Sequence, residues 1–157
     1  MLLSNRRWFL AGALALAGCG FTPVYGPGAD TNLRGLVLVQ APTTREEFEL
    51  VRALEFRLGQ PNAARYVLDY TLTITEEAVV VSQNQVQSRF NVVGVLDYVL
   101  KSNDGDPVTN GKAKAFTSYS STGSTVSTDQ SQRDARDRLM GLLADQTLAR
   151  LAADMAK

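Results

Sequence analysis

The sequence predicts an α+β two-layer sandwich, a mostly antiparallel four-stranded sheet with two helices on one face, in the order β-α-β-β-β-α. Three observations carry this. A short apolar run at 35–40 leads into a helical repeat, the hydrophobic period switches to two from Tyr66 to Tyr119, and a broad apolar helical face closes the chain. With 157 residues, 45% apolar and 20% charged, the chain is sized and composed for one globular domain.

Gly35 to Gln40 is apolar and ended by Ala41-Pro42, which suits a first strand. Thr43 or Thr44 caps the following helix, with Glu46 and Glu47 in the first turn, where carboxylates meet the positive end of the helix dipole. Leu50, Val51, Leu54 and Leu58 recur at helical spacing until Gly59 and Pro61 stop the run, and Phe56 lies off that stripe. Next, Tyr66, Leu68, Tyr70, Leu72 and Ile74 point to one side of a strand, and Asp69, Thr71, Thr73 and Thr75 to the other. A third strand covers about Arg89 to Lys101 with Phe90, Val92, Leu96, Tyr98 and Leu100 on one face. Its opposite face carries Val93, Val95 and Val99 beside Asn91 and Asp97, more apolar than contact with water alone favours. The turn Ser102-Asn103-Asp104-Gly105-Asp106-Pro107 leads to a fourth strand from Val108 to Tyr119.

Thr117 to Gln132 is rich in Ser and Thr and reads as a solvated loop, with an N-cap at Ser127 or Thr128. A final helix runs from Asp129 to Ala156. Leu139, Leu142, Leu143, Leu148, Leu151 and Met155 form its apolar face, and Ala135, Ala149 and Ala152 allow close approach. Asp134 with Arg138, and Arg133 with Asp137, stand four apart and can pair on the wet side.

The composition argues against an enzyme. There is no His and one Cys, which removes His-based acid–base catalysis, Ser-His-Asp and Cys-His nucleophiles, zinc fingers and an internal disulfide. Sixteen basic residues balance sixteen acidic ones, which is unlike a nucleic-acid binder. Glu76 and Glu77 are neighbours on a strand and point to opposite sides, so they cannot share one substrate. No metal site and no cofactor are expected.

The N-terminus reads as an address. After Arg6 and Arg7, the apolar run Trp8 to Gly18 has 11 residues, short of the roughly 20 that span a bilayer, and fits a signal peptide. Leu16-Ala17-Gly18-Cys19 resembles the lipobox of bacterial lipoproteins. That resemblance implies that residues 1–18 are removed and that Cys19 carries a diacylglycerol and an N-acyl chain, a multi-chain anchor that holds stably. Removing 1–18 takes two arginines and no acid, leaving a net charge of −2. Gly20 stands where Asp would often signal inner-membrane retention, so the outer membrane is the expected destination. Ser4 to Leu10 resembles a twin-arginine export signal and equally fits the ordinary secretory route. Residues 19–34, with Pro23, Gly26, Pro27 and Gly28, make the acylated N-terminus and tether, and 35–157 the single α+β domain.

This order, joined to the lipobox, resembles the lipopolysaccharide-assembly lipoprotein (LptE) family. Gly18-Cys19-Gly20-Phe21-Thr22-Pro23-Val24-Tyr25-Gly26 looks like the lipidated start of alphaproteobacterial members, and Ser88 to Val95 like the third-strand signature. Ser118-Tyr119, the Ser/Thr stretch, Asp134-Ala135-Arg136 and Leu143-Ala144-Asp145-Gln146 look like its last strand, loop and helix. The resemblance implies a non-catalytic subunit on the periplasmic side of the outer membrane. It sits inside a large lipopolysaccharide-transport β-barrel (LptD-like), assists its assembly and meets lipopolysaccharide in transit. Family members are thought to meet that glycolipid through basic residues near loops. Here the loop before the final helix and the 78–88 connection carry none, so Arg89, Lys112 and Lys114 are the nearest candidates. Val79-Val80-Val81 either continues strand two or presses against the barrel wall. The alternative reading is a free-standing glycolipid-binding or structural lipoprotein, which needs an apolar cavity or a basic cleft.

Overall fold

The computed structural model describes residues 33–79, 88–121 and 124–156. The signal peptide, the lipobox Leu16-Ala17-Gly18, Cys19, the tether up to Asn32, and Val80-Val81 lie outside the described residues.

The described chain forms β1 (Val37–Val39), α1 (Arg45–Leu58), β2 (Tyr66–Val79), β3 (Ser88–Ser102), β4 (Pro107–Ser121) and α2 (Thr125–Met155). The expected order holds. The sheet runs β1-β2-β3-β4. Its last three strands form the antiparallel meander, while β1 lies parallel to β2 with Val37 opposite Tyr66, so the sheet is mixed. The parallel pair follows from α1, since a strand that re-enters beside its predecessor in the same direction needs a crossover between them.

Thr44 caps α1 in a capping box. Its hydroxyl accepts the Glu47 N–H at 3.3 Å, and the Glu47 carboxylate accepts the Thr44 N–H at 3.3 Å. Thr43 adds its backbone N–H at 2.7 Å and its hydroxyl at 2.8 Å to the same carboxylate oxygen. These Thr43 bonds hold the Glu47 carboxyl below its ordinary range. Gly59, at φ +74°, ends the helix and returns its N–H to the Glu55 carbonyl at 2.8 Å.

Both helices pack on one face of the sheet. The core joins Leu50, Leu54 and Leu58 of α1 and Leu139, Leu143 and Leu151 of α2 to Leu68, Leu96 and Leu100 of the strands. Gly94 lets α2 come close, because a Cβ there would stand 2.8 Å from Leu143 Cδ1 and 3.0 Å from Leu139 Cδ2.

Three expectations are corrected. The Ser/Thr stretch is not a loop: β4 continues to Ser121 and α2 already begins at Thr125, with Ser124 as N-cap. Thr128 and Ser131 turn their hydroxyls back onto the carbonyls of Ser124 and Ser127, at 3.0 and 2.9 Å, which satisfies them inside the helix. Asp134 accepts from Gln130 Nε2 at 2.9 Å rather than pairing with Arg138. Leu142, 45% exposed, and the exposed Ala149 fall on the wet side of α2, because the apolar stripe drifts around a helix of 31 residues.

The fold has two ends. At one, Leu36 meets Arg65 and Tyr66, Asn103 meets Arg65, and Asp154 accepts from Thr109. At the other, β2 and β3 end in the pair Val79–Arg89, and β4 turns into α2 past Ser121.

Candidate partner-facing surface

Strand alternation divides the sheet into a covered and an open face. The helices take the face of Leu68, Tyr70, Val92, Leu96, Tyr98 and Ala113. The other carries Leu38, Val67, Val93, Val95, Val99 and Phe116, and no described element lies over it. Val93, Val95 and Val99 are half-buried by their neighbours alone, while Phe116, cross-strand from Val93, is 70% exposed. The pairs Asp97–Lys112 at 3.0 Å and Asp69–Lys101 at 2.7 Å interrupt this strip. Such exposed pairs contribute at most about 1 kcal/mol each. An apolar strip crossed by charges on an uncovered sheet has the composition of a protein interface.

All three basic residues singled out from the sequence fall on this open face. Lys112 is held by Asp97. Lys114 is exposed two positions on, and its backbone N–H donates to Gln146 Oε1 of α2 at 3.2 Å. Arg89, opposite Ser120 in the register, donates to Ser118 Oγ at 2.8 Å. Six strand positions separate Lys114 from the level of Arg89, roughly 20 Å, so the three do not converge on one small ligand.

The covered face has a polar cluster that sequence reasoning missed. Glu76 accepts from Tyr119 Oη, from Gln132 Nε2 at 3.0 Å and from Arg136 at 3.4 Å. Arg136 also binds Glu46 of α1 at 2.8 Å. Burial pushes the Glu76 carboxyl up, but the hydrogen bonds from Tyr119, Gln132 and Arg136 outweigh it and leave the group below its ordinary range. Burial first, then the bond to Glu76, pushes the Tyr119 phenol up to about 12. With its oxygens engaged, Glu76 ties β2, β4 and α2 together, while Glu77 faces the other side of the sheet. The two carboxylates do not meet. Among the described residues no group of three His, Cys, Asp or Glu is placed to hold a metal ion, and no helix is long and apolar enough to cross a membrane.

Between β4 and α2 runs an open furrow of about 580 Å³, lined by Phe116, Thr117, Ser118, Arg138, Gly141, Leu142 and Asp145. It is a surface groove rather than the enclosed cavity a lipid carrier needs.

A small mixed sheet, with helices on one side and an open face on the other, is a fold this chain shares with solved bacterial lipoproteins. A lipoprotein from Caulobacter crescentus CB15 aligns with a TM-score of 0.67 at 21% identity, over 82% of this chain and 96% of that one. Lipoprotein B from Nitrosomonas europaea aligns at 0.58 and 11% identity, over 85% and 91%. Rare lipoprotein B from Shewanella oneidensis aligns at 0.56 and 10% identity, over 75% and 92%. At these identities the likeness concerns the fold. No curated protein sequence matches the chain. The LptE family model, described as lipopolysaccharide-assembly, matches residues 35–151, and the chain belongs to that family.

Proposed function

We propose that this chain is a non-catalytic lipoprotein of the outer membrane, anchored on the periplasmic side through acyl chains on Cys19. It assembles with and plugs the lipopolysaccharide-transport β-barrel and so supports lipopolysaccharide delivery to the cell surface. The observation that carries the reading is the family match over residues 35–151, directly downstream of a lipobox that holds the only Cys of the chain. The open sheet face supports it, since Val93, Val95, Val99 and Phe116 offer apolar area to a partner that a lone domain would leave wet.

The test is depletion of the chain in its own bacterium, followed by fractionation. The barrel is expected to lose its heat-modifiable folded form, and lipopolysaccharide to stop reaching the surface. A barrel with unchanged mobility and a normally coated surface would overturn the proposal. Cys19→Ser is expected to abolish palmitate labelling and to release the protein from the membrane fraction.

A further inference from the structure

We propose that the furrow between β4 and α2 receives an extended segment of another protein, which adds to the sheet as a fifth strand on the open edge of β4 and sets a carboxylate against Arg138. Such a contact goes beyond the barrel reading and stands or falls independently of it.

β4 is the last strand of the sheet, so one row of its backbone groups has no strand neighbour. Along its first half, α2 closes that row. Arg150 donates to the Lys112 carbonyl, and Gln146 accepts the Lys114 N–H at 3.2 Å. Because the Lys114 N–H points to α2 and not to β3, and the register is regular from Lys112 to Ser120, the backbone groups of Phe116 and Ser118 aim the same way. No described residue bonds to them there. A row of free N–H and C=O groups on an edge is a template for one more strand, and its natural ligand is an extended polypeptide.

The lining of the furrow specifies the side chains of that segment. Thr117 donates its hydroxyl to the Ala135 carbonyl at 2.9 Å, and Lys114 meets Gln146, so α2 runs beside β4 with Arg138 towards Thr117 and Asp145 towards Lys114. Between those two, Gly141 leaves an opening in which an added Cβ would meet nothing within 4 Å, and the exposed Leu142 stands next to it. A strand laid on this edge turns every second side chain towards α2. One of them fills the opening over Gly141 against Leu142 and is apolar. The next, two residues along, meets Arg138, which has no ionic partner among the described residues, and is a carboxylate that the guanidinium can hold through two parallel bonds. Asp145, bound to Arg57 at 2.6 Å, keeps the opposite end of the furrow from attracting an acid. The residue between the two turns to the other side of the sheet beside Phe116, and is apolar as well.

The experiment pans the mature lipidated protein in detergent against a displayed library of random peptides of about ten residues, ample for one strand. Enriched peptides are expected to carry an acidic residue two positions from an apolar one. The tightest of them, made as a free peptide, should slow amide hydrogen exchange at Phe116 and Ser118. Ser118→Pro removes one outward N–H at an edge position, where proline is tolerated, and is expected to weaken that peptide about tenfold. Arg138→Glu is expected to lose the acidic peptides and to select Lys or Arg at the same position. A library that yields no peptide preferring the unaltered chain to Ser118→Pro overturns the proposal. So does a selected sequence that Arg138→Glu leaves unchanged, or protection that falls on Val93 and Val95 instead of the β4 edge. Particles of two copies in sedimentation, with the edge amides protected before any peptide is added, overturn it in favour of a second copy. Should Ser118→Pro not melt like the unaltered chain, Leu142→Lys at its exposed helix position decides: the peptide is expected to bind about tenfold more weakly, and an unchanged affinity refutes the contact.

Discussion

Tyr119 on β4 donates its phenolic hydrogen to the Glu76 carboxylate on β2, reaching across the intervening β3 on the face that α2 covers. The tyrosine ring also stacks on Phe90 of that middle strand, with centroids 5.2 Å apart. One side chain thus links three strands and orients the acceptor that Gln132 and Arg136 bind from the helix.

Glu76→Gln tests that link through pH. A carboxyl held below its ordinary range in the folded state contributes stability above the unfolded value of about 4.3, and this is lost as pH falls through the folded value. The variant is expected to lose about 1 kcal/mol at neutral pH. In urea melts the gap to the unaltered protein should shrink steadily below about pH 4. A gap that stays constant down the acid range would show that the charge on Glu76 does not matter.

Gly111 is predicted to resist any side chain. A Cβ there would stand 2.7 Å from Cζ and 3.2 Å from Cε1 of Tyr98, whose ring is 2% exposed and has nowhere to go. Gly111→Val should cost about 1–3 kcal/mol by overpacking. Gly141→Ala, in open space on α2, should instead add up to about 1 kcal/mol. Thermal melts of the two variants should move in opposite directions.

Thr44→Ala removes the acceptor for the Glu47 N–H and should cost about 1 kcal/mol. Thr44→Ser keeps that oxygen and should restore most of the loss, which denaturant midpoints would reveal.

The meander was legible because its alternation is long and regular: Leu68 to Ile74 and Val92 to Leu100 take the faces their period assigns. The α1 start was legible because Thr44 and Glu47 stand at capping-box spacing. The α2 start was not, for Ser124 makes no side-chain cap bond and the first turn holds no acid, so no local signal separates helix from loop. Glu76 could be placed on a face but not in its role. Its partners lie 43, 56 and 60 residues away, and only the folded sheet and helix bring them together. The furrow was hidden for a similar reason, because Arg138 and Phe116 come from elements whose relative placement no periodicity fixes.

The chain enters the fold at one end of the sheet, and β2, with 14 residues, carries it roughly 45 Å to the other. The far end of the sheet, where Val79 pairs with Arg89, therefore stands a full strand length from the entry at Leu33. Any load taken up at Leu33 reaches the pair Val79–Arg89 only along the length of β2.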